Sequence, residues 1–304
     1  MKEITYIVKA VRSESMPRTG TRPTRPGVTL PVDRWLFISP EKGLLPDAHI
    51  YAAVHNAREL PKNVPDYQIP HINPHLEIYL ALGNKPDLTG LRGQIKLEGR
   101  VFKFKSPCTI VLPAGLNHEH KLTGGSGKFV VLLASPKFAH VPQEPRSDVS
   151  EQEYTRLGGL IIPAEARPAS TELLHHLSTE PGTRFVFVDK NKGHDWYTIF
   201  RRVENVKPDQ AHYVKTHAHN CDSYHLFIGN NDDLTGLKAE VEINGKTQIV
   251  ESPAAVFIPP KTPHKYRVIE GSGVFGNILP KGDYNRTLLP SPKSHGQETN
   301  KGRA

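Results

Sequence analysis

The chain has 304 residues, 37% of them apolar, with no run long enough for a membrane span or signal segment, so it reads as a soluble, cytoplasmic protein of about two domains. Its net charge of +8 is concentrated, because residues 11–26 and 285–304 carry +3 each in Pro-, Gly-, Ser- and Thr-rich surroundings that read as solvated, flexible segments. No aromatic–basic platform accompanies the remaining charge, which excludes nucleic acid as a natural partner, and the two cysteines, Cys108 and Cys221, exclude a disulfide framework.

Taken in order, residues 2–10 have strand composition, a Pro/Arg-rich loop follows, and residues 34–38 and 50–54 give two more apolar runs. Short β runs separated by Gly, Pro and Asn signals then occupy 77–83, 93–97, 101–105, 108–112 and 128–134. Residues 137–160, with two prolines and mixed charge, read as a surface connector. The helical candidate is 169–177, where Ser170 or Thr171 can cap the start. Further strands are expected over 184–188, 196–203, 224–229, 237–243, 246–250, 255–258 and 274–279. Asn244-Gly245 is a tight-hairpin signal and Glu98-Gly99 is its counterpart.

Those two strand series are copies. Residues 71–91 match residues 217–237 at a constant displacement of 146 without a gap. The same displacement relates Ser106-Pro107 to Ser252-Pro253, Pro113 to Pro259, His118 to His264, and Ile50-Tyr51 to Trp196-Tyr197. The expected organisation is a duplicated β domain: a unit over 1–140, a connector over 141–160, a second unit over 161–284 and a disordered tail over 285–304. Many short strands and little helix argue for a barrel or sandwich in each unit.

Each copy carries a two-part pattern. The first reads His71-x-Asn73-x3-Glu77-x5-Gly83 and then Pro113-x-Gly115-x2-His118; the second reads His217-x-His219-x3-Ser223-x5-Gly229 and then Pro259 and His264. First and last histidines are 47 residues apart in both. The pattern resembles the two motifs of the cupin superfamily, and the pair of them resembles a bicupin. That resemblance implies an all-β chain of two tandem double-stranded β-helix (jelly-roll) barrels. It also implies a divalent metal held by inward side chains, a small-molecule substrate, and pairing into a homodimer or higher even oligomer.

Carried over residue by residue, the resemblance points to His71, Glu77 and His118 in the first copy and His217, His219 and His264 in the second. Both copies depart from the pattern, with Asn73 in place of a histidine and Ser223 in place of the carboxylate. Two imidazoles and a carboxylate are the set used by non-haem Fe(II) oxygenases, and three imidazoles leave a metal with open positions. His75 and Asp222 stand near the two departures as substitutes. Counting by twos places Tyr79 and His225 inward, and His225 and Tyr266 are the candidates for a catalytic base or an anion-orienting group. The leading expectation is an Fe(II) dioxygenase acting on a small polar or aromatic substrate. The alternatives are an isomerase, lyase or decarboxylase using Mn(II), Zn(II) or Ni(II) as Lewis acid, and a non-catalytic metal- or ligand-binding bicupin.

Overall fold

A computed structural model describes residues 6–15, 24–168, 172–177, 179–208 and 212–290. The strands Glu77–Gly83 and Ser223–Gly229 are apolar apart from Glu77, Ser223 and His225 and are buried at every residue, because both faces of each are covered. Tyr79 and Ala81 face a core inside the first half, with Ile95, Phe104 and Phe129. Ile78, Leu80 and Leu82, on the other face, share a second core with Tyr224, Leu226 and Ile228 of the second half. The two halves are thus joined back to back through the strands that carry their motifs.

In the first half a seven-stranded sheet faces a five-stranded one. The larger runs through Cys108–Leu112, Glu77–Gly83, Gly127–Leu133, Tyr51–Ala57 and Asp33–Ile38, and the smaller through His71–Ile72, His118–Gly125, Leu91–Leu97 and Arg100–Lys105. Register is preserved between the copies: Glu77 opposes Leu112 and Ser223 opposes Ile258. In the second half one 16-residue strand, His264–Leu279, runs through both walls and links them into a nine-stranded sheet. The motif glycines permit a close chain approach. A Cβ on Gly83 would stand 1.9 Å from the Thr89 carbonyl oxygen, and one on Gly229 would stand 1.9 Å from that of Thr235.

The architecture is the all-β, jelly-roll pair expected, and several local expectations need correction. The strand His118–Gly125 was not legible as apolar, because His118, His120 and Leu122 face inward while Glu119 and Lys121 face outward to Lys96 and Asp66. The connector holds a real helix, Glu151–Gly158, capped by Ser150, whose side chain accepts from the Glu153 N–H, and anchored by buried Leu157. Of the expected helix at 169–177, residues 169–171 lie outside the described residues, and beyond Glu172 the chain turns so that His176 bridges to Val214.

The domain limits are also crossed. Ile7–Lys9 pairs with Ala254–Ile258 of the second half, while Ile161–Pro163 pairs with Cys108–Leu112 of the first. The segment expected as a tail is ordered at its start: Tyr284–Thr287 is a short helix, and Leu289 donates its N–H to the Ala218 carbonyl at 2.8 Å. Residues 291–304 lie outside the described residues, as do 16–23 of the Arg/Pro-rich loop, although Thr24 bridges to Gln68. Among the described residues, no helix is long and apolar enough to cross a membrane.

Candidate metal centres

In the first barrel the strand pairing sets His118 opposite His71. The ligand atoms of His71, Glu77 and His118 lie within 4.8 Å of one another, and all three residues are buried. Each imidazole is held from behind, His71 Nδ1 at 2.9 Å from the Ile69 carbonyl and His118 Nδ1 at 2.9 Å from that of Leu116. A carbonyl only accepts, so Nδ1 carries the proton in both rings and each Nε2 presents a bare lone pair. His118 Nε2 stands 3.1 Å from Glu77 Oε2 with no hydrogen bond aligned between them. Two acceptors so placed call for a cation. Burial, and then the neighbouring His118, push His71 down to about 3, which keeps its ring neutral. Asn73 is turned to the carboxylate rather than away, its Nδ2 donating to Glu77 Oε2 while its Oδ1 is buried without a partner.

The second barrel repeats the arrangement with His217, His219 and His264, again within 4.8 Å and buried. Their Nδ1 atoms lie 2.8 Å from the Lys215 carbonyl, 2.8 Å from Thr287 Oγ1 and 2.9 Å from the Thr262 carbonyl. Thr287 spends its own proton on the Tyr284 carbonyl, so its oxygen accepts from His219. The Nε2 atoms of His219 and His264 are buried without a hydrogen-bond partner. Burial is the main cause that pushes both rings down to about 3 and His217 well below the ordinary range. Both clusters therefore have the donor set, the tautomers and the unpartnered lone pairs of a divalent metal site.

Neither substitute joins a cluster. His75 is exposed, and Asp222 points into the interface between the halves, where it meets His49 Nδ1 at 2.6 Å and the Tyr224 hydroxyl at 2.9 Å. Ser223 Oγ stands 3.4 Å from both His225 Nε2 and Asn277 Oδ1. His225 lies deeper in the barrel, its ring 6.1 Å from that of His264 and 4.9 Å from that of Tyr266. Burial pushes His225 down to about 3 and raises the Tyr266 phenol. In the first barrel the corresponding positions are Tyr79 and His120, with rings 4.8 Å apart. The same ring pair lines both interiors with its members exchanged.

An arginine in each barrel escaped the sequence reading. Arg34 Nη2 donates to the Tyr51 hydroxyl at 2.6 Å, and Arg184 Nη2 to the Tyr197 hydroxyl at 2.9 Å. The tyrosines keep the 146-residue displacement but the arginines are 150 apart, so the repeat is out of phase there. Arg184 is neutralised by Glu172 at 2.6 Å. Arg34 has no carboxylate partner among the described residues, and its Nε is buried without a hydrogen bond. It lines a small cavity of about 30 Å³ together with His55, Gln68, His71, Glu77 and Tyr79.

No protein-family model and no curated protein sequence matches the chain. Solved structures do. The oxalate decarboxylase of Lactobacillus farciminis, solved as a formate complex, superposes with a TM-score of 0.57 at 13% identity, over 92% of this chain and 92% of that one. A variant of the Bacillus subtilis oxalate decarboxylase gives 0.55 at 13% identity, over 91% of this chain and 78% of that one. At such identity the likeness speaks for fold. The chain shares the two-barrel, all-β fold of these structures, which is the fold that the motif resemblance implied. The structural neighbours are decarboxylases, so the dioxygenase expectation draws no support from them.

Proposed function

We propose that the chain is a metal-dependent bicupin lyase that decarboxylates a small carboxylic acid, with the first barrel as the reacting centre. The observation that carries this reading is Arg34, a cation without a carboxylate partner among the described residues, in one small cavity with His71 and Glu77. His71, Glu77 and His118 would hold the metal, and this set suits Mn(II), Fe(II) or Zn(II). Bound there, the metal supplies Lewis acidity toward a carboxylate oxygen. Arg34 offers a charge-assisted anchor for a second anionic group, and Tyr51 fixes the guanidinium. The Tyr79 phenol lines the same cavity and is placed to give the carbanion left by CO2 its proton, regaining one from solvent; burial raises the phenol, so it yields the proton only to so strong a base. The cavity volume restricts the substrate to a few heavy atoms.

The test is CO2 release and oxygen uptake by protein loaded with each of the three metals, on mono- and dicarboxylates of two to four carbons, beginning with oxalate. CO2 without stoichiometric O2 uptake is expected, with kcat/KM lowered about 100-fold by Arg34→Gln, in line with loss of a charged contact worth a few kcal/mol. Stoichiometric O2 uptake would replace this reading by the oxygenase one, to which the two-histidine, one-carboxylate set is also suited. Absence of both on every substrate would overturn the catalytic assignment.

A further inference from the structure

The second centre has three imidazoles and a serine where a carboxylate was expected, yet another oxygen reaches it. Tyr284 is buried, and its hydroxyl oxygen lies 3.1 Å from His217 Nε2. The same oxygen lies 3.2 Å from Nε2 of His176. His176 Nδ1 is 2.8 Å from Glu180 Oε2, and that carboxylate oxygen also pairs with Arg201 at 2.8 Å. A carboxylate accepts, so His176 carries its proton on Nδ1 and a lone pair on Nε2. His217, whose Nδ1 proton is directed to the Lys215 carbonyl, likewise has a bare Nε2. One hydroxyl proton therefore faces two lone pairs and can satisfy one of them.

With that proton given to His176, the phenol oxygen keeps lone pairs for a cation shared with His217 Nε2. The separation agrees with shared ligation: two donors each about 2.1 Å from one metal lie roughly 3.0–3.4 Å apart at the usual angles.

The first barrel provides an internal comparison. The residue 146 positions before Tyr284 is Phe138. Both rings sit against the equivalent tyrosine, Phe138 at 5.0 Å from Tyr51 and Tyr284 at 5.6 Å from Tyr197. The barrel that keeps Glu77 has a phenyl ring there, whereas the barrel with Ser223 has a hydroxyl aimed at a histidine of its cluster. We infer that Tyr284 is the fourth protein ligand of the second centre, making it a three-histidine, one-tyrosine site for a first-row transition metal. The oxygen donor has moved from the motif strand to the turn that follows the barrel's last strand. This assignment does not depend on the reaction proposed for the first barrel.

The experiment uses the full chain, stripped of metal and titrated with Cu(II) or Fe(III). A visible phenolate-to-metal charge-transfer band is expected in the parent and in Tyr266→Phe, whose ring lies deeper in the barrel. It should vanish in Tyr284→Phe, with the affinity of one of the two sites falling about 100-fold. Phenylalanine already occupies this place in the first barrel, so the variant should fold, and resonance Raman phenolate modes present in the loaded parent and in Tyr266→Phe but lost in Tyr284→Phe assign the ligand. Absence of those modes and of the band in the loaded parent, or an unchanged spectrum and affinity in Tyr284→Phe, would overturn the assignment. A failed decarboxylase assay would leave it untouched.

Discussion

Asn73 occupies a position where the motif calls for a third histidine, and the structure gives it a different task. Its amide donates to Glu77, fixing the carboxylate whose other neighbour is the lone pair of His118. Partners that orient a ligand commonly contribute 10- to 100-fold in metal affinity. Asn73→Ala should therefore weaken metal binding at the first centre by about that factor and leave the second unchanged, as read by chelator competition. The ligands themselves were legible because an unbroken repeat set two imperfect motifs side by side. Arg34 and Arg184 were not, because four residues inserted between arginine and tyrosine break the phase. His176 and Tyr284 were hidden for another reason: Tyr284 reaches His217, and His176 reaches Tyr284, from segments without strand or motif character.

At the level of elements, the least legible feature was the exchange of strands between halves. The short strands Ile7–Lys9 and Ile161–Pro163 each close an edge of the other half's sheet, and nothing local in a three-residue strand names its partner. Covered edges are protected from intermolecular pairing. Removing residues 1–10 should expose the Ala254–Ile258 edge, lowering Tm by roughly 5 °C and promoting concentration-dependent aggregation. Calorimetry with light scattering at several concentrations checks this, and an unchanged Tm in monodisperse solution would count against it. The helix Glu151–Gly158 was readable in principle. Ser150 and Glu153 have the spacing of a capping box, but the prolines and charges around them dominated the reading.

For the molecule as a whole, the buried histidines tie stability to pH. His71, His219, His225 and His264 sit at about 3 in the folded, metal-free chain against an ordinary 6.5, with burial as the leading cause in each. The unfolded chain therefore takes up protons, as pH falls below 6.5, that the folded chain refuses. Stability is fully present above that value and is lost as pH falls toward 3. By pH 5 each such residue can cost up to ~2 kcal/mol. Metal-free protein should melt well below its pH 7 temperature when brought to pH 5, and a Tm constant over that interval would refute the account. Added metal should restore much of the loss, since it binds the neutral rings.

The exchanged ring pair has a consequence for descent. Tyr79 with His120, and His225 with Tyr266, fill the same space in opposite order, each pair 41 residues apart along its half. Either ring fits either wall provided the other is its complement. The unit that selection preserves is then the couple and not its members, and among related barrels these two alignment columns should covary while each, taken singly, looks free to change.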